Sequence, residues 1–137
     1  MVAFARLSKE PILIRSGIYR PDFVVVLDES LINAVDVLEG LKPGGAILVN
    51  TRREPKDLPI KAGFKVCTVN ATDIAMKHGL GSPTTPIVNT AILGAFVRVS
   101  KLVSLNTVIE SVRAIVPSKK DANASATKEA HEQVRGC

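Results

Sequence analysis

Three apolar runs in this sequence end on a small polar residue: Asp28 after VVVL, Asn50 after ILV and Asn70 after CTV. In an open parallel sheet such positions gather at the carboxyl edge of the strands, where ligands bind. The same side chains can instead close the following turn or helix by bonding to backbone amides. One edge can hold both roles. Chemistry could also be housed in the segment Ser82–Ala91 (SPTTPIVNTA). Pro83 and Pro86 stiffen a loop that carries Thr84 and Thr85, and Asn89 and Thr90 stand at the start of an apolar helical run. Unpaired amides at a helix N-terminus favour an anion or a carbonyl oxygen. The loop therefore reads either as a wall of a phosphate or cofactor site or as a plain helix cap made by Asn89.

Other chemistry is poorly served. His78 and His131 have no Asp, Glu or Cys at ligand spacing, so no metal site is expected. Cys67 and Cys137 are far apart and no C-x-x-C occurs, so the chain cannot supply the thiolates of an iron–sulfur cluster. Cys67 lies in an apolar run and is expected to be a buried, reduced thiol. Asp36 and Glu39 share a helical spacing, but more as a solvated pair than as an acid–base couple. Gly79-Leu80-Gly81 and Lys42-Pro43-Gly44-Gly45 match neither a dinucleotide fingerprint nor a lysine phosphate loop. The LKPGG turn is like that of S-adenosylmethionine-dependent methyltransferases, whose glycine-rich first loop is absent here. No catalytic residue is assigned.

The elements that must position these groups form a chain of 137 residues, enough for one domain. With 46% hydrophobic and 23% charged residues, it can bury a core. Four Phe, one Tyr and no Trp leave that core to aliphatic side chains and argue against a stacking platform for single strands. The net charge of +5 is spread out, with Arg52–Arg53 and Lys119–Lys120 the only adjacent basic pairs, so no nucleic-acid role is expected. Neither a signal peptide nor a membrane-length apolar run is visible, which makes cytoplasm the default.

Hydrophobic periodicity predicts an antiparallel hairpin from Val2–Leu7 and Ile12–Ile14, turned at Ser8–Pro11. Strands follow at Asp22–Asp28, Ala46–Asn50 and Phe64–Asn70, the first expected to be covered on both faces. Helices are predicted at Ser30–Glu39, Thr72–His78, Val88–Val99, Ser104–Val116 (Ser104 as N-cap) and Lys119–Arg135. The last has only a thin alanine seam and is expected to dock on something else. The fold class is α/β: a three-layer, Rossmann-like domain with a mainly parallel sheet and an N-terminal antiparallel hairpin.

The order of the motifs adds to this. VAFARLSKEPILIRS (Val2–Ser16), PDFVVVLDESLINAVDVLEGLKPGGAILVNT (Pro21–Thr51), TTPIVNTAILGAF (Thr84–Phe96) and LVSL (Leu102–Leu105) together resemble gamma subunits of pyruvate and related 2-oxoacid:ferredoxin oxidoreductases. PSKKDANASATKEAHEQV (Pro117–Val134) is similar to the closing helix of that family. The resemblance implies a subunit of a complex that decarboxylates a 2-oxoacid, most simply pyruvate, on thiamine diphosphate with Mg. Such a complex passes electrons through 4Fe–4S clusters to ferredoxin and delivers the acyl group to coenzyme A. It implies alpha, beta and delta partner subunits that carry those cofactors, none being bound by this chain alone. No membrane and no nucleic acid enter. On the same analogy Asn50, Thr51, Asn89 and Thr90 would line the edge facing coenzyme A.

The family's gamma chains normally begin with a strand, a G-x-G-G-Q-G loop and a helix ahead of the segment where this sequence starts. Residues 1–137 are thus expected to form one gamma-type domain shortened at its N-terminus, with a docking helix at about 119–135. Two rival readings are a stand-alone nucleotide- or S-adenosylmethionine-binding α/β domain and a purely structural subunit.

Overall fold

The computed structural model describes all residues, Met1–Cys137. Three parallel strands, β1 (Phe23–Val26), β2 (Ala46–Asn50) and β3 (Lys65–Val69), lie side by side in chain order. Register runs from Phe23 opposite Ala46 to Val26 opposite Val49, and from Ala46 opposite Lys65 to Asn50 opposite Val69. β2 is the central strand and every one of its residues is buried. Burying side chains as large as Ile47, Leu48 and Val49 contributes roughly 1.5–3 kcal/mol each. The unbroken β-branched run of β1 had pointed to a strand covered on both faces, but β1 lies at the sheet edge and Val25 is 39% exposed. The apolar run marks membership of a parallel sheet; only the pairing decides which strand is central.

Alternation along the strands assigns the two faces. Phe23, Ala46, Leu48, Cys67 and Val69 point to one face, and Val24, Val26, Ile47, Val49 and Val66 to the other. The first face carries the helices that follow β3: α2 (Ala71–Lys77), α3 (Asn89–Ser100), α4 (Leu105–Ile115) and α5 (Lys120–Gln133). α3 lies on β2 and β3, α5 packs along α3, and α4 rests on both helices. Phe23 meets Phe96 of α3 edge to face, with ring centroids 5.4 Å apart. The second face is closed by the crossovers: α1 (Leu31–Ala34), a single turn, and the stretch around Leu58 and Ile60 that follows the 3-10 turn Pro55–Asp57. The result is an α/β layering of helices, parallel sheet and thin crossover layer.

Two expected elements differ. Residues 1–22 form no strand, so the N-terminal hairpin is not made. Its side chains find nothing to pack on: Val2, Leu7, Leu13 and Ile14 are all at least 64% exposed. A two-stranded ribbon without a covered face does not hold by itself. The chain still turns back, and Arg6 Nη2 donates to Gly17 O at 3.2 Å. The helix expected over Ser30–Glu39 stops after Ala34, because Val35 swings to φ −139°, ψ 160°. Just beyond it the Asp36 carboxylate accepts the Leu38 amide at 3.1 Å, replacing helical bonding by a local turn.

The cysteines also differ from expectation. Cys67, buried on β3, is joined in a disulfide to Cys137, with Cα atoms 5.8 Å apart. Residues 134–137 run back beside β3, a proximity that a separation of 70 positions conceals.

The helix expected over Lys119–Arg135 docks on α3 through small residues. Ala126, Thr127 and Ala130 of α5 are buried against it. At Gly94 the helices come so close that a Cβ would lie 1.8 Å from the Thr127 carbonyl oxygen. A buried polar seam fixes the register of the two helices. Thr90 Oγ1 donates to Asn123 Oδ1 at 2.6 Å, and Thr127 Oγ1 donates to the Thr90 carbonyl at 3.0 Å and to that of Asn123 at 2.8 Å.

Candidate functional site

The carboxyl ends of the strands open onto a cleft of about 310 Å³ lined by Leu27, Asp28, Glu29, Asn50, Thr72, Pro86 and Val88. It is the crevice expected of a parallel sheet: one wall follows β1, the floor ends β2, and the far wall is the approach to α3. A wider hollow of about 720 Å³ is lined only by residues of the N-terminal coil, Val2–Gly17, and has no part in this edge.

Asn50 holds the cleft together. Its Nδ2 donates to Leu27 O at 3.1 Å and to Thr72 Oγ1 at 2.9 Å. Its Oδ1 accepts the amides of Ala71 at 2.9 Å and Thr72 at 3.3 Å. Both donors and both acceptor positions of the amide are thereby used. One side chain ties the exit of β1 to the first turn of α2, and it shapes the edge more than it offers a free contact. Thr51, also buried, donates from Oγ1 to Glu29 Oε2 at 2.7 Å and accepts the Arg53 amide at 3.1 Å. Asn89 is exposed and is the first residue of α3, not its cap: Val88 holds the cap position, no side chain caps the helix, and Asn89 Oδ1 accepts only the adjacent Thr90 amide at 2.8 Å. Thr90 turns away into the seam between α3 and α5. Of the four residues picked out in the sequence, Asn50 lines the cleft, Thr51 braces its rim, Asn89 flanks its far wall and Thr90 lies behind that wall.

The other strand-end residues act as caps. Asn70 Oδ1 accepts the Asp73 amide at 3.1 Å as N-cap of α2. Asp28 Oδ1 accepts the amide of Ser30 at 3.0 Å and its hydroxyl at 2.8 Å. These two bonds, the amide first, hold the Asp28 carboxyl below its ordinary value of 3.8. Asp73 is also lowered from 3.8, chiefly by the bond from the Arg52 guanidinium at 2.7 Å, and the same bond raises Arg52. Arg53 stands 3.6 Å from Glu29, so each arginine of the pair is matched by a carboxylate at the rim.

Both carboxyls have folded-state values depressed below the unfolded one. Their contribution is present above the unfolded value and is lost as pH falls through the folded one. Acid titration followed by carboxyl chemical shifts should therefore give midpoints for Asp28 and Asp73 below 3.8. Arg52→Ala should return Asp73 towards 3.8 and leave Asp28 unmoved. A common shift of both would contradict the separate pairings.

Glu29 and Thr72 were not picked out in the sequence. Both follow a strand end within three positions, which was the only available signal. Asn123 and Thr127, the partners of Thr90, carried a fainter one: polar residues spaced by four on the alanine face of a helix.

Comparison with known proteins places this edge in context. The family model described as pyruvate ferredoxin/flavodoxin oxidoreductase matches residues 1–133. The chain is 42% identical over 136 residues to "Pyruvate synthase subunit PorC" of Methanothermobacter marburgensis, covering 98% of this chain and 72% of that one. It is 40% identical over 137 residues to "Pyruvate/ketoisovalerate oxidoreductases common subunit gamma" of Pyrococcus furiosus, covering 97% and 72%. The crystal structure of the pyruvate oxidoreductase subunit PORC from Thermotoga maritima superposes with a TM-score of 0.72 at 36% identity, over 86% of this chain. This chain spans 66% of the Thermotoga chain, slightly under two thirds of its length. A keto/oxoacid ferredoxin oxidoreductase gamma subunit from Geobacter sulfurreducens shares the fold, with a TM-score of 0.66 at 22% identity. The parallel-sheet fold is thus a family architecture, and the chain belongs to the pyruvate ferredoxin/flavodoxin oxidoreductase family, as a gamma-type subunit of a multi-subunit oxidoreductase.

Proposed function

We propose that the chain works in the cytoplasm as the gamma subunit of a pyruvate-type 2-oxoacid:ferredoxin oxidoreductase, alongside alpha, beta and delta subunits. The complex decarboxylates the 2-oxoacid, transfers the acyl group to coenzyme A and reduces ferredoxin. Thiamine diphosphate, Mg and the 4Fe–4S clusters sit on the partner subunits. With two cysteines in all, this chain falls short of the four thiolates of such a cluster. The carrying observation is similarity to gamma-type subunits along residues 1–133, nearly the whole chain.

Exposed apolar surface supports assembly. Val2, Leu7 and Leu13 of the N-terminal coil and Leu102, Val103 and Ile115 around α4 all face solvent. Apolar surface in such amounts marks contact sites. No helix is long and apolar enough to cross a membrane, so a bilayer does not account for it through a helical span. Affinity capture of the tagged chain from anaerobically lysed cells is expected to retrieve the other subunits together. Recovery of the chain as a solitary monomer that turns over a substrate would overturn the reading.

Within the complex, the carboxyl-edge cleft is the part that meets coenzyme A. Asn50, Thr51 and Thr90 hold the edge in shape, and the exposed Asn89 is the residue free to touch the cofactor. Asn89→Ala in the assembled enzyme should raise KM for coenzyme A by about fivefold, the equivalent of one hydrogen bond, with kcat unchanged. An unchanged KM would favour a purely architectural role for the chain.

A further inference from the structure

After α5 the chain becomes a strap along the outer edge of β3. Thr68 N donates to Arg135 O at 3.0 Å and Arg135 N to Thr68 O at 2.8 Å, a single antiparallel bridge. Gly136, at φ +85°, passes so close to the sheet that a Cβ would come 2.4 Å from Val66 O, which only glycine allows. Arg135 reaches over the sheet edge: Nη2 donates to the carbonyls of Arg52 and Arg53 at 3.2 Å each, and Nη1 pairs with Glu54. The loop it grips is the one whose Arg53 amide and guanidinium meet Thr51 and Glu29 at the rim of the cleft. Beyond the buried side chain of Val134, one bridge and one arginine fasten residues 135–137 to the strand edge without a covalent bond. The covalent link from Cys137 to Cys67 completes the fastening.

We propose that Cys67 and Cys137 form a redox-operated latch: the disulfide holds the strap on β3 and, through Arg135, the rim loop 52–54, and reduction frees both. The two sulfurs are unequal in access, since Cys67 is fully buried and Cys137 is partly exposed. The oxidant is a low-molecular-weight disulfide, RS–SR. The Cys137 thiolate attacks one of its sulfurs, forming a mixed disulfide and expelling RS⁻. The Cys67 thiolate then attacks the Cys137 sulfur, closing the internal bond and expelling the second RS⁻. The two thiols lose two electrons and two protons, and the oxidant gains them as two RSH. A dithiol reverses the sequence, entering at Cys137.

The test is hydrogen exchange, read by mass spectrometry, on the native enzyme equilibrated in oxidising and reducing dithiothreitol buffers. Peptides covering 65–69, 131–137 and 51–54 should exchange at least about tenfold faster after reduction, and slow again on reoxidation. The Cys137→Ser enzyme should show the fast rates in both buffers. Equal rates in the two buffers, with the loss of two hydrogens on oxidation visible in the intact mass, would reduce the bond to a passive staple and overturn the latch. So would absence of that mass change, or slow exchange in Cys137→Ser.

Discussion

Gly94→Ala should destabilise the fold by about 3 kcal/mol or more, an overpacking cost at the upper end of its usual range. On an exposed helix face the same change would help, by roughly 1 kcal/mol of helix propensity. Here the new methyl carbon would lie 1.8 Å from the Thr127 carbonyl oxygen and 2.7 Å from its carbon. Both are backbone atoms, so no rotamer change relieves the clash and α5 must move off α3. That separation breaks the Thr90–Asn123 bond and opens the seam formed by Ala91, Ala95, Ala126 and Ala130, which have no long side chains to fill the gap. Urea unfolding should show a lowered midpoint, and heating a Tm lower by roughly 10 °C. A midpoint at or above the parent value would mean that the helices do not cross this closely. Because Arg98 Nη1 also donates to the His131 carbonyl at 3.1 Å, displacement of α5 should carry its C-terminal turn and the strap behind it.

Asn50→Ala should cost a similar amount, about 3 kcal/mol, by leaving buried polar groups without partners. The Leu27 carbonyl loses a donor, and the amides of Ala71 and Thr72 lose their acceptor. The damage should be local: hydrogen exchange at Ala71 and Thr72 should speed up while Val49 and Leu48 in the same strand stay protected. Asn50→Asp separates the two halves of the role. Its carboxylate would still accept from Ala71 and Thr72, where the first turn of α2 favours negative charge. It would also set an oxygen against the Leu27 carbonyl, now 3.1 Å from Nδ2. The Asp variant should therefore fall between parent and Ala at neutral pH. Equal stability of parent and Ala would remove Asn50 from its place as the tie between β1 and α2.

The helices after β3 were legible because their signals are local. Ser104 caps α4 by accepting the Thr107 amide at 3.2 Å, and Asn70 caps α2 in the same way. The apolar spacing of α3 and α4 likewise gave those helices to within about two residues, the ordinary margin for helix ends. The candidate site was legible only as an edge. Asn50 stood out because a polar residue closes an apolar strand, but its four bonds depend on where β1 and α2 arrive. The hairpin was misread because alternation records which side chains would be buried together, without saying whether a surface exists to bury them. Thr90 was read as part of a helix start facing a ligand, whereas its partners lie 33 and 37 positions away.

By itself the sequence determined the α/β class, the three strands, the Ser104 cap of α4 and the membership of a gamma-type subunit family, because short-range spacing and motif order carry that information. Tertiary structure alone decided that β2 is central, that Gly94 is the contact point of α3 and α5, that Asn50 spends its whole bonding capacity on the edge, and that Cys67 meets Cys137. Each of those depends on contacts between residues at least 19 positions apart, and no local preference of the chain encodes which distant partner packing will bring.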